Sequence, residues 1–325
     1  MSEMTYLDAG RMALAEEMRR DSRVWAVGED LGRGGVFGQY AGLGDEFGRD
    51  RISDAPISEA GIMGAAVGAA MMGTRPVVEM RFSDFALCAV DELVNQAAKA
   101  RYMFGGQSKV PLVVREPIGM WRSSAAQHSQ SLESWYTHIP GLVVVAPSTP
   151  ADNKGLLKAA IRCDDPVVYM EHKNLWRLTG DVPDDADHVV PLGEARVVRE
   201  GRDVTIVTWS AMVHVCADAA GALAADKIDA EVIDLRTLWP WDRERVAQSV
   251  RKTGRLLIAQ EAVSVSGFGA EVAAWVAEHL FDDLAAPVAR LGAPRAPVSY
   301  SPPLEDQVRV TAPDIVAAVQ RLVAR

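Results

Sequence analysis

Glu59 has the setting that most suggests chemistry. It lies in Ser53-Asp-Ala-Pro-Ile-Ser-Glu-Ala-Gly61, where Ser58 is placed to cap a helix and Glu59 falls in the first turn. The helix that follows is almost wholly Ala, Gly, Met, Ile and Val. Burial there favours a neutral carboxyl, while the helix dipole favours an ionised one. A carboxyl held between these can exchange a proton with a ring nitrogen, though a glutamate in a first turn can also do no more than complement the dipole. Ala126-Gln-His-Ser-Gln130 sets His128 among hydrogen-bonding neighbours in a loop, which suits a proton donor or acceptor and also suits a merely exposed histidine. Gly32-Arg-Gly-Gly-Val-Phe-Gly38 fits neither the dinucleotide fingerprint nor the P-loop, and reads as a mobile loop beside a ligand crevice.

The elements that must hold these residues alternate. Apolar runs at Val24–Gly28, Pro76–Met80, Pro111–Val114, Leu142–Ala146 and Pro166–Met170 are separated by helical patterns near residues 5–20, 58–72, 85–103 and 150–162. Such alternation predicts a parallel sheet covered by helices, and continuous Val/Leu runs fit strands buried on both faces. The polar, Pro- and Gly-containing stretch 178–192 reads as a linker. Beyond it, strands are expected at Val204–Thr208, Ala230–Asp234, Leu256–Ala259 and Pro287–Leu291, with helices at 211–225, 242–252, 268–281 and 313–324. The fold class is therefore α/β, with two three-layer α/β/α domains at residues 1–185 and 186–325; one large domain is the alternative. Polar residues follow each strand of the first domain: Glu29-Asp30, Arg81 to Phe85, Arg115-Glu116, Pro147-Ser148 and Glu171-His172. Ligands of open parallel sheets bind outside such strand ends, although strand ends are also simply where polar residues resume.

Composition narrows the partners. With 34 Lys and Arg against 44 Asp and Glu the chain carries a net charge of −10, which disfavours nucleic acid. Cys88, Cys163 and Cys216 are widely spaced and form no Cys-x-x-Cys pair, so a disulfide framework or zinc site is not expected. The polar N-terminus does not read as a secretory signal, and the small-apolar run Ala60–Gly73 is too short to span a bilayer. A cytoplasmic location away from membranes is expected. Gly64 and Gly68 within that run suggest a buried helix packed closely on another.

Ordered motifs carry a family resemblance. They are Gly28-Glu-Asp-Leu-Gly, Gly34-Gly-Val-Phe, Pro56-Ile-Ser-Glu-Ala-Gly-Ile, Phe82-Ser-Asp-Phe, Asn95-Gln-Ala-Ala-Lys-Ala-Arg-Tyr-Met, Gln127-His-Ser-Gln-Ser-Leu-Glu, Pro147-Ser-Thr-Pro, Lys154-Gly-Leu-Leu-Lys-Ala-Ala-Ile, Asp234-Leu-Arg-Thr-Leu, Gly267-Phe-Gly-Ala-Glu and Tyr300-Ser-Pro-Pro-Leu-Glu. From about Thr5 to the C-terminus the chain resembles the beta subunits of thiamine-diphosphate-dependent 2-oxoacid dehydrogenases, those of pyruvate, branched-chain 2-oxoacid and acetoin dehydrogenases. The resemblance implies a transketolase-like pyrimidine-binding domain followed by a transketolase C-terminal-like domain. It implies that Glu59 hydrogen-bonds the cofactor's pyrimidine nitrogen and so promotes the imino tautomer that generates the ylid. Phe85 would stack on the pyrimidine, Glu29, Ile57 and Arg81 would line its pocket, and His128 would assist proton transfer or acyl delivery to lipoamide. A potassium site is implied at the backbone of Leu112, Ala160, Ile161, Cys163 and Asp165.

The family's Gly-Asp-Gly anchor for magnesium and diphosphate is not found; Gly44-Asp-Glu and Gly180-Asp-Val are the nearest sequences. The resemblance therefore implies a separate alpha subunit holding magnesium, a two-alpha, two-beta assembly with a beta–beta contact, and docking on a lipoyl acyltransferase core. Two departures stand out. Glu116-Pro-Ile-Gly-Met-Trp-Arg-Ser-Ser-Ala-Ala replaces a glycine-rich run, with Met120, Trp121 and Arg122 narrowing or recharging a channel. Arg81 replaces an uncharged residue and either pairs beside Glu59 or turns outward to a partner chain. The leading expectation is oxidative decarboxylation with acyl transfer to lipoamide. Acetoin cleavage, a non-oxidative acyloin or transketolase-type carbon–carbon bond enzyme, and a non-catalytic structural subunit are the alternatives.

Overall fold

The structure, a computed structural model, describes residues 1–324. It divides into two compact units: Met1–Ile118 with Trp135–Leu192, and Gly119–Ser134 with the residues from Gly193 onward. The segment 119–134, which carries His128, groups with the second unit although sequence order suggests the first.

In the first unit the strands are β1 (Ser2–Thr5), β2 (Val24–Gly28), β3 (Ile52–Asp54), β4 (Arg75–Glu79), β5 (Val113–Ile118), β6 (Val143–Val145), β7 (Val167–His172) and β8 (Thr179–Val182). The main sheet runs β6-β7-β5-β4-β2-β3, and these neighbours pair in parallel. Its strands are the continuous apolar runs of the sequence, with Val24, Ala26, Val77, Val113, Val145, Val167 and Tyr169 in the buried core. β1 and β8 form a separate antiparallel pair, Ser2 opposite Val182 and Thr5 opposite Thr179. The expected linker thus contains a strand: its polar side chains tolerate an edge position because the backbone pairing supplies the hydrogen bonds.

Helix Tyr6–Arg20 begins at Thr5, whose hydroxyl accepts from the Asp8 amide at 3.1 Å, and ends with Arg19 and Arg20 at the negative pole of its dipole. Helix Pro150–Arg162 uses the same device, with Thr149 accepting from the Asp152 amide and Pro150 in the first turn. The two pack together and are joined by ions as well as apolar contacts. Lys154 and Lys158 pair with Glu16 at 3.0 and 2.6 Å, and Arg162 pairs with the buried Glu17 at 2.6 Å. Gly155 is required here, since a Cβ would lie 2.5 Å from Val190 Cγ2.

Helix Glu59–Met71 buries Ile62, Met63, Ala66, Val67 and Ala70 and leaves Gly61, Gly64, Ala65 and Gly68 exposed. The expected close packing is not made within this chain at Gly68, where a Cβ would meet no atom within 4 Å, while at Gly64 a Cβ would make only an ordinary contact with Glu92 Cγ at 3.6 Å. The single helix expected at 85–103 is instead a series: Ser83–Ala86, a 3-10 turn Leu87–Ala89, a π segment Asp91–Ala97, and Ala98–Met103. In the π segment Asp91 accepts from Asn95 at 2.7 Å and from Gln96 at 3.3 Å, four and five residues on.

The second unit has a sheet ordered 289–293, 256–263, 204–208, 230–234, 196–199, parallel except for the last strand. Helices Met212–Ala225 and Ala312–Val323 cover its apolar core of Val204, Ile206, Val232, Leu257, Ile315 and Val319. A Thr311/Asp314 capping box starts the latter helix.

Candidate active site

The carboxyl ends of β2 and β4 lie side by side, Gly28 opposite Glu79, so the residues that follow each strand converge. After β2 come Glu29 and Asp30; after β4 come Arg81, Phe82 and Phe85. Arg81 pairs with Glu29 at 3.0 Å and with Asp30. Of the two expected arrangements, beside Glu59 or outward to a partner chain, neither is an ion pair to Glu59: the ion pairs of Arg81 are with Glu29 and Asp30. Glu59 lies near enough to Glu29 to act on its charge. Burial pushes the Glu29 carboxyl upward from its ordinary value, Arg81 pulls it back, and Glu59 and Asp30 push it further up. Asp30 occupies the left-handed region at φ 59°, where Asp is one of the better-tolerated non-glycine residues.

Helix Glu59–Met71 delivers Glu59 with its side chain partly exposed, and Ile57, two residues earlier, is 80% exposed. Ser58 occupies the cap position but makes no side-chain capping bond there; the helix starts with the Ile62 amide donating to the Ser58 carbonyl at 2.8 Å. Phe85 sits edge-on to Phe82 at 5.6 Å, and Phe82, Phe37 and Trp176 continue the aromatic cluster, with the Lys173 ammonium 4.6 Å from the Phe82 ring centre. The glycine-rich loop carries defined hydrogen bonds. Asp54 accepts from the Gly32 amide at 2.8 Å, Gly35 donates to the Asp30 carbonyl, and Gln39 accepts from the Phe37 amide.

A flat aminopyrimidine needs a carboxyl partner for its ring nitrogen and apolar surface for its faces. Glu59, Glu29, the open Ile57 and the half-buried Phe85 supply that chemistry. The residues fit the ring half of thiamine diphosphate. Among the described residues no group of three or more His, Cys, Asp or Glu side chains is arranged to hold a metal ion.

Beneath the site lies an interior network that the strand-end pattern did not reveal. Arg115, 1% exposed, is held by Glu171 at 2.8 and 3.0 Å and lies 3.7 Å from Glu79. Tyr40 donates to Glu79 at 2.8 Å, and Asn153 donates to Glu171 at 3.3 Å. Burial pushes Glu79 up to about 7 in spite of Arg115. Glu116 is fully buried and pushed up to about 8, chiefly by burial; Tyr136 opposes the shift, but no hydrogen bond of good geometry reaches either carboxyl oxygen. Arg115, Glu116 and Glu171 are thus interior residues, although their position after strands suggests a ligand crevice.

His128 closes a 3-10 turn, Ala126–His128, in the second unit, its amide donating to the Ala125 carbonyl at 3.4 Å. That loop is anchored within its own unit by Glu261 accepting from the Met120 amide at 2.7 Å and by Trp209 donating to Glu133 at 3.1 Å. In the stretch that departs from the family's glycine-rich run, Arg122, Ser123 and Ala125 adopt φ of 49°, 56° and 64°. Arg122 lies over the Trp121 ring at 5.2 Å.

The backbone expected to hold potassium does not fit an ion. Arg75 donates to the carbonyls of Ile161 at 3.0 Å and Cys163 at 2.9 Å. The Leu112 carbonyl accepts from the Val167 amide at 2.8 Å, the Ala160 carbonyl accepts from the Cys163 amide at 3.1 Å, and the Asp165 carboxylate is bound by Arg101. Four of the five backbone carbonyls, those of Leu112, Ala160, Ile161 and Cys163, are thus engaged by the protein's own donors, and at Asp165 the side chain is.

Comparisons with known proteins identify the family and the fold. The model of the transketolase pyrimidine-binding domain matches residues 2–179, and that of the transketolase C-terminal domain matches residues 193–315. The chain is 46% identical to the 2-oxoisovalerate dehydrogenase subunit beta of Bacillus subtilis (strain 168) over 325 residues, 99% of each protein. It is also 46% identical over 320 residues to the acetoin:2,6-dichlorophenolindophenol oxidoreductase subunit beta of Cupriavidus necator, covering 95% of this chain and 94% of that one. Among solved structures it is similar to a split-gene transketolase described as an inactive beta4 tetramer, with a TM-score of 0.79, 25% identity, and coverage of 99% of this chain and 98% of that one. The two matched domains and the near-full-length identity show that this chain belongs to the transketolase-like family of 2-oxoacid dehydrogenase beta subunits.

Proposed function

We propose that this chain is the pyrimidine-activating half of a thiamine-diphosphate-dependent dehydrogenase that decarboxylates a 2-oxoacid and passes the acyl group to lipoamide. The observation that carries the reading is the carboxyl pair Glu59 and Glu29, close enough to interact, with Arg81 bound to Glu29 where the chain leaves the adjoining ends of β2 and β4. Thiamine diphosphate, when bound, supplies the nucleophilic carbon and the electron sink that decarboxylation requires. Glu59 would hold and move the proton at the ring nitrogen. Phe85 and Ile57 would cover the ring and exclude water, and Arg81 would hold the neighbouring Glu29 and Asp30 in place. His128 keeps its proton-transfer role on the family resemblance alone.

The diphosphate and its magnesium would be held by an alpha subunit in a two-alpha, two-beta assembly. The open face of helix Glu59–Met71 supports a partner chain, as do the exposed Met72, Tyr102, Met103 and Phe104. Docking on a lipoyl acyltransferase core belongs to the same reading. Equal identity to an oxoisovalerate dehydrogenase and an acetoin oxidoreductase keeps acetoin cleavage as the second reading.

The test is co-expression with an alpha-like subunit and measurement of carbon dioxide release from a panel of 2-oxoacids, with thiamine diphosphate, magnesium and an artificial electron acceptor. Turnover of at least one oxoacid that needs both chains is expected. A well-formed, cofactor-binding complex that releases no carbon dioxide from any oxoacid, yet cleaves acetoin, would replace the first reading with the second.

A further inference from the structure

We propose that Arg75 takes the place of a monovalent cation in this chain, so that the loop after helix Pro150–Arg162 is braced without potassium. A potassium site of this type is built when backbone carbonyls replace the ion's hydration shell. The helix ends at Arg162, and its last carbonyls carry the negative pole of the helix dipole. A cation there is favourable whatever its source. Arg75, at the start of β4, supplies one covalently: Nη1 donates to the carbonyls of Ile161 and Cys163, and Nη2 donates to the Asp164 carboxylate at 2.6 Å. A planar fork of donors can meet two carbonyls and a carboxylate at once, which a spherical ion achieves only by gathering oxygens around itself.

The surrounding charge is already balanced. Asp164 also accepts from Lys109 at 2.6 Å, and Arg101 binds Asp165. Lys109 first and then Arg75 hold the Asp164 carboxyl below its ordinary value despite some burial. An added potassium ion would stand against the Arg75 guanidinium with no free carboxylate to offset the repulsion. Arg75 is itself largely shielded, with its side chain 15% exposed, so its pairing is screened less than that of a surface ion pair. The brace ties β4 to the helix C-terminus and to the turn leading into β7.

Thermal melting of the full chain, exchanged into potassium, sodium or choline chloride at equal ionic strength, tests this. Mass action makes a bound ion at a hundredfold its Kd raise Tm by several degrees. The wild type is expected to melt at the same temperature in all three salts. A saturable, potassium-selective rise in wild-type Tm would overturn the proposal, and this arm does not depend on any variant folding. Arg75→Met is expected to lower Tm and to gain a potassium-selective recovery that sodium and choline do not give. An Arg75→Met protein that melts like wild type overturns the bracing role. One that is weakened but indifferent to potassium makes Arg75 an ordinary ion-pair residue and overturns the replacement.

Discussion

At the scale of residues, the site sets carboxylates against one cation. Arg81 stabilises the ionised form of Glu29 against burial and the neighbouring acids. Arg81→Gln is expected to move the acidic limb of the pH–rate profile of the assembled enzyme upward, because a lost counter-charge raises a carboxyl's proton affinity. An unchanged limb would remove Glu29 from the reacting groups. Glu116 gives a second pH signature. Its folded value, about 8, stands above the ordinary 4.5, so the folded state keeps a proton that the unfolded chain releases. Its contribution to stability is complete below about 4.5 and is lost as pH rises through about 8. Glu116→Gln is expected to flatten that decline and to be roughly 2–4 kcal/mol more stable than wild type at pH 8 in denaturant titrations. A Gln variant that follows the wild-type pH curve would contradict the assignment.

At the scale of elements, legibility followed locality. Strands β2, β4, β6 and β7 announced themselves because burial on both faces demands apolar runs, whereas β5, expected at Pro111–Val114, runs Val113–Ile118 and carries the buried Arg115 and Glu116. Helix Pro150–Arg162 falls on the helical pattern expected near 150–162, and Thr149 and Pro150 mark its start. β1 and β8 were not readable, since each is a strand only through the other, at the far end of the unit. The series at 83–103 carries helical composition, and nothing in its residue types marks a π turn at Asp91–Ala97. Motifs singled out Glu29, Glu59 and Phe85 as candidates, whereas the Tyr40–Glu79–Arg115–Glu171 network was not legible. Sequence tells where a strand ends but not which polar residue turns inward. The 119–134 loop makes its own prediction. Ala125, at φ 64° and ψ −169°, occupies backbone space that glycine alone adopts without strain. Ala125→Gly is expected to raise the stability of the full chain by about 1 kcal/mol, read from the denaturation midpoint. A loss of stability would show the loop to be unstrained.

At the scale of the whole molecule, the chain carries features of a subunit. Helix Glu59–Met71 begins at the candidate catalytic carboxyl and then runs on with an open face of Gly61, Gly64, Ala65 and Gly68. Gly68→Ala meets nothing in this chain and gains helix propensity, so the isolated chain should become more stable by up to about 1 kcal/mol. The same methyl group should weaken assembly with an alpha-like subunit about tenfold, roughly 1.4 kcal/mol, if a partner backbone lies against that face. Unchanged assembly, measured by analytical ultracentrifugation, would place the partner elsewhere. The central claim is that Glu59 activates a cofactor shared with another chain. Its most direct test is the Glu59→Gln variant in the assembled complex, assayed for thiamine diphosphate affinity and for substrate turnover in the same preparation. Cofactor binding within a few-fold of wild type, with turnover reduced by about 10²- to 10⁴-fold, is the outcome that split-site activation predicts. A Glu59→Gln complex that binds cofactor and turns over at the wild-type rate would contradict it.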